Sequence, residues 1–129
     1  MNTENTKQRL LAVYDEMERT LRQGWCQYVD ARLPDGSGTR WDDPAAVEHC
    51  LCSAGRLASR DSGLPEEELN KIKGTLTEAS VAYVKHPDAG PASANDALGS
   101  KLSDVLDVVA TARRLAEKRL ETVSPSATA

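Results

Sequence analysis

The sequence contains no phenylalanine, and aromatic residues make up only 4% of it. Its core must therefore come from Leu, Val, Ala and Ile, with two tryptophans as the largest packing units. No apolar run approaches the ~20 residues that span a bilayer, so no membrane segment is expected. The opening residues Met1-Asn2-Thr3-Glu4-Asn5 lack the basic-then-apolar order of a signal peptide, which points to a cytoplasmic protein. Three cysteines are too few, and odd in number, for a disulfide framework. There is no Cys-x-x-Cys pair, Gly-rich phosphate loop, Gly-x-Ser-x-Gly elbow or His-Glu-x-x-His. Accordingly no catalytic residue, metal or cofactor is assigned. Twenty acidic against 16 basic side chains give a net charge of −4. That balance argues against nucleic acid as a partner, and it is too mild for a nucleic-acid mimic.

What remains is the composition of an ordinary globular domain, 40% apolar and 28% charged over 129 residues. The pattern predicts a mainly α protein: about four helices around one core, with a small β-hairpin between the first and second. A first helix is expected from Asn5 to Gln23, with Leu10, Val13, Tyr14, Met17 and Leu21 on one face. Gly24 then sits where a left-handed helix end favours glycine, and Trp25 can fold back onto the helix. Residues 28–33 suit a short strand, Pro34-Asp35-Gly36-Ser37-Gly38 a turn, and Thr39-Arg40-Trp41 the return strand. Asp43-Pro44 reads as the N-cap and first position of a second helix carrying Val47, Cys50, Leu51, Ala54 and Ala58. A third helix follows Pro65 and ends before His86-Pro87. Residues 87–99 read as a loop, and a last helix runs from Ser100 to Glu121. The domain is thus expected to span 1–121, with a disordered tail at 122–129.

The unusual chemistry is concentrated in Gly24-Trp25-Cys26-Gln27 and His49-Cys50-Leu51-Cys52. On a helix starting at Asp43, Cys50 falls in the apolar stripe, while His49, Cys52 and Arg56 share another face. That would give Cys52 a histidine and a cation, which favour thiolate, although a mid-helix position lacks the open helix N-terminus that usually activates a thiol. The same wheel points Cys50 and Cys52 ~200° apart, which speaks against a shared zinc ion. Asn95-Asp96 suit capping of a turn into the last helix, with ligand contact as the alternative.

Several of these segments resemble, in order, a small family of domains of unknown function from bacteria and their phages. The resemblance rests on Gly24-Trp25-Cys26-Gln27, the Asp35-Gly36 turn, Asp43-Pro44-Ala45-Ala46-Val47, Cys50 and Asn95-Asp96, within residues 5–118. The chain departs from it at His49 and Ala94, where the family carries tryptophan. The resemblance implies a buried structural role for Cys50 and transfers no activity.

The sequence thus predicts a cytoplasmic accessory factor, of bacterial or phage type, that inhibits or regulates a host system by contacting another protein; a homodimer is compatible. Candidate binding residues are Trp25, Tyr28, Arg40, Trp41, His49, Cys52, Arg56, Asn95 and Asp96. The aromatic residues would anchor the contact. The alternatives are a thiol-dependent enzyme or redox-responsive domain using Cys52 with His49 and Arg56, or a small-ligand site between the hairpin and the third and fourth helices.

Overall fold

The computed structural model describes residues 3–97 and 99–123. The chain runs α1 (Thr3–Gln23), β1 (Ala31–Arg32), β2 (Gly38–Thr39), β3 (Glu48–His49), α2 (Leu51–Ser62), α3 (Glu66–Val84), α4 (Pro91–Asp96) and α5 (Leu102–Val123). This is a mainly α fold with a small antiparallel sheet of order β2-β1-β3. Ala31 pairs with Thr39 on one side and His49 on the other.

The amphipathic faces of α1 and α5 meet as their spacing predicts. Leu10, Val13, Tyr14, Met17 and Leu21 are all buried, as are Val105, Val109, Ala112 and Ala116 on α5. At the centre the Tyr14 hydroxyl hydrogen-bonds Thr75 Oγ1 at 2.6 Å, so both buried polar groups are paired. The helices form an incomplete ring. Helix α2 packs on α1, α1 on α5, and α5 on α3, whereas α2 and α3 barely touch; α4 bridges them at one end. Among the described residues no helix is long and apolar enough to cross a membrane.

Several expectations need correction. The second helix does not begin at Asp43-Pro44. Asp43 Oδ1 instead accepts the Ala45 N–H at 2.9 Å, and Thr39 Oγ1 donates to Asp43 Oδ2 at 2.6 Å. Those bonds close a turn, because a short acidic side chain stabilises an Asx turn as readily as a cap. The chain then enters β3, Val47 is exposed, and the helix starts at Leu51 with Cys50 as N-cap. Gly24 is not left-handed. It is needed because a Cβ there would collide with the Val47 carbonyl. The supposed loop at 87–99 holds a short helix, α4, opened by Pro91 at its first turn. The last helix continues to Val123, so the first two residues of the expected tail are helical and the rest lie outside the described residues.

Candidate functional site

Because α2 and α3 diverge, a cleft of about 490 Å³ lies between them. Its walls are apolar: Leu51, Leu69, Ile72 and Leu76, with Pro91 of α4 at one end. At Gly55 an added Cβ would lie 3.4 Å from Met17 Cε and 3.9 Å from Leu76 Cδ1, so this stretch of α2 sits directly on the core. Trp41, carried out of the sheet by the turn that closes at Asp43, forms one rim. Arg56 and Arg60, four residues apart on one face of α2, place their guanidinium carbons 5.7 and 5.8 Å from its ring centroid. Lys73 adds a third cation from α3, and no carboxylate lines the cleft. Arg60 is paired with Asp61, but Arg56 and Lys73 have no carboxylate partner among the described residues. A chain of net charge −4 thus presents a locally cationic, aromatic-edged, apolar cleft.

Cys52 lies on this cleft and also on a smaller recess of about 100 Å³ behind it, bounded by Tyr28, Asp30, Cys50, Asn95 and Asp96. Asn95 organises that region. Its side chain is 1% exposed, and both amide atoms make two hydrogen bonds each. Oδ1 accepts from Trp25 Nε1 at 2.7 Å and from the Leu51 N–H at 2.9 Å. Nδ2 donates to the Cys26 carbonyl at 3.0 Å and to Asp96 Oδ1 at 2.8 Å. Gln27 Nε2 reaches the Asn95 carbonyl, and Asp96 Oδ1 also accepts the Tyr28 N–H. Tyr28 adopts φ 72°, a left-handed conformation costly for a bulky residue, and is held there by this bond. Asn95-Asp96 therefore tie α4 back to residues 25–28 and to the start of α2 instead of capping a turn into the last helix.

The first turn of α2 carries the thiols. Cys50 Sγ accepts the Ser53 N–H at 3.4 Å, and the Cys52 thiol lines the same recess. Interaction with the Cys52 thiol first, and then with the Ser53 N–H, brings Cys50 down to about 7, against the opposing effect of burial. Cys52 is pushed up, chiefly by its interaction with Cys50 and then by burial. Burial holds Cys26 at about 11, and its thiol contacts the Val29 carbonyl. The expectation of opposed Cys50 and Cys52 side chains fails, because the helix starts seven residues later than assumed. His49 likewise stands on β3 outside the helix. Its Nδ1 pairs with Ser53 Oγ at 2.9 Å, and burial lowers its basicity.

Apart from His49, which stays on β3 bonded to Ser53, the predicted site residues divide into three sets. Trp41, Arg56 and Cys52 meet at the cleft. Trp25, Asn95 and Asp96 form the internal clasp, with Tyr28 68% exposed beside it. Arg40 points to solvent and pairs with Asp42. Sequence reasoning missed Arg60, Lys73 and the apolar walls; the i, i+4 spacing of Arg56 and Arg60 was the available signal. It also missed Cys50 as a chemically distinct thiol, since cysteine is not a habitual N-cap. No family model matches this sequence, no curated protein matches it, and no solved structure matches the fold.

Proposed function

We propose that the protein is a small binding module that receives an acidic, apolar-striped segment of another protein in the cleft between α2 and α3. The observation that carries this reading is the lining itself. Leu, Ile and Trp surfaces would bury the apolar stripe, while Arg56, Arg60 and Lys73 meet no acidic side chain in the cleft. Such a rim steers an acidic partner and fixes its orientation. The position left open in the helix ring suits a helical segment laid between α2 and α3. In this reading the protein acts by contact, as the inhibitor or regulator expected from its size and lack of catalytic motifs.

The test is affinity capture with the full chain, followed by quantitative binding of the recovered partner. Trp41 lies outside the core cluster. Trp41→Ala is therefore expected to keep the far-UV circular dichroism of the wild type and weaken binding by at least about thirtyfold, the size of a hot-spot loss. The double variant Arg56→Glu, Lys73→Glu is expected to do the same. Unchanged affinity in both would overturn the reading, and collapse of Trp41→Ala would leave the charge-reversal variant to decide it.

A further inference from the structure

We propose that Cys50 and Cys52 form a peroxide-responsive dithiol, with Cys50 the attacking sulfur and Cys52 the resolving one. The inference is independent of what occupies the cleft. It rests on two thiols two residues apart at the start of α2, both lining the recess of about 100 Å³, with Cys50 Sγ accepting the Ser53 N–H at 3.4 Å. Cys50 is 7% exposed, so the recess is its route to solvent, and a volume several times that of a water molecule admits a small hydroperoxide but not a bulky reagent.

The two sulfurs have unequal tasks, and their surroundings match them. Cys50 sits at the N-cap of α2, where the Ser53 N–H donates to its sulfur and the Cys52 thiol lines the same recess. The positive end of the helix adds to the effect of that bond. Asp30 opposes thiolate formation at both cysteines, and Arg56 favours it at Cys52. Asp96 faces the recess from α4, and Cys26, the other nearby thiol, is held protonated by burial. Thiolate is thus favoured at Cys50, while Cys52 is held protonated.

The chemistry balances with a hydroperoxide as oxidant. The Cys50 thiolate attacks the terminal peroxide oxygen, the S–O bond forms and the O–O bond breaks. The alkoxide (hydroxide from hydrogen peroxide) leaves and takes up the proton that Cys50 released on ionising. Cys50 is now a sulfenic acid, and the negative charge that held the Cys52 proton in place has gone. The Cys52 sulfur then attacks Cys50, the S–S bond forms, and hydroxide departs with the Cys52 proton as water. In total two thiols are oxidised to a disulfide, and one hydroperoxide is reduced to an alcohol and water.

The experiment treats the reduced full chain with hydrogen peroxide at pH 7, blocks remaining thiols with N-ethylmaleimide, and maps the products by peptide mass spectrometry. A Cys50–Cys52 disulfide within one chain is expected, forming about fivefold faster than oxidation of the same residues in the urea-unfolded chain. That figure combines the larger thiolate fraction with the lower nucleophilicity of a more acidic thiol. Cys52→Ser should stop at a Cys50 sulfenic acid that dimedone captures. Cys50→Ser retains a good N-cap, so it should remain folded while Cys52 stays reduced. The proposal is overturned if the disulfide joins Cys26 or two chains, if Cys52 oxidises at the wild-type rate in Cys50→Ser, or if folding gives no acceleration.

Discussion

At the residue scale the organising group is Asn95, whose amide is saturated by four partners drawn from three places in the chain: residues 25–26, Leu51 and the adjacent Asp96. The Leu51 N–H is one of the orphan donors at the start of a helix, and Trp25 Nε1 would otherwise be held inside without a partner. Cys50 caps a second orphan donor, that of Ser53, so the two side chains together close the N-terminus of α2. Truncating Asn95 would leave the Trp25 and Leu51 donors and the Cys26 carbonyl without partners at once. At 1–3 kcal/mol for a buried orphan, partly relieved by water, Asn95→Ala should lower stability by about 3 kcal/mol. Urea denaturation followed by tryptophan fluorescence measures it, and a loss under about 1 kcal/mol would mean that water replaces the amide freely. The ties from Asn95 to Trp25, Cys26 and Leu51 were not legible in the sequence, because they join residues 44 to 70 positions apart.

At the element scale legibility followed periodicity. Helices α1, α3 and α5 span five or more turns, long enough for the 3.6-residue apolar repeat to declare itself, and most of their core residues were readable, though not the buried Thr75, Ser80 and Val108. Helix α4 has six residues, too few for any period, and its Pro-Ala-Ser-Ala-Asn-Asp composition imitates a loop. The start of α2 was misplaced because Asp43-Pro44 carries both turn and cap chemistry; the competing hydrogen bonds from Thr39 and Ala45 decide it. That one displacement also hid the candidate site, since it put His49 on a helix and turned Cys50 away from Cys52. The end of α3 offers an independent check of local backbone reasoning. Lys85 closes it at φ 63°, with its N–H bonded to the Val81 carbonyl at 2.8 Å. A left-handed residue bearing a Cβ costs roughly 1–2 kcal/mol, part of which glycine gives back by greater freedom in the unfolded chain. Lys85→Gly should therefore stabilise the domain by about 0.5–1 kcal/mol, read as a higher urea midpoint at unchanged slope. A lower midpoint would show that the Lys85 side chain contributes more than its conformation costs.

At the scale of the whole molecule the histidine and the shifted carboxylates weaken the fold on the acid side, and they do so in two stages. His49 is half-buried on β3, and burial lowers its affinity for a proton below that of a free imidazole, whose pKa is about 6.5. The unfolded chain therefore binds the proton more readily, and its stability contribution is present above about pH 6.5 and is lost as pH falls below it. The Asp35, Asp43, Glu16 and Glu78 carboxylates are held below their ordinary range by hydrogen bonds from Ser37, Thr39, Arg19 and Arg119 respectively. Their contribution is present above the unfolded carboxylate pKa of about 4 and disappears as pH falls through the lower folded values. These carboxylates lie at the surface, so water and salt screen each of them and their effect is collective and modest. Urea midpoints measured at pH 7.5, 5.5 and 3 should fall at each step. His49→Gln is expected to shrink the first step, leaving the share of the Cys50 thiol, and to keep the second intact, because glutamine can still bond Ser53 without titrating. A first step of undiminished size in that variant would place the neutral-range proton on a group other than His49.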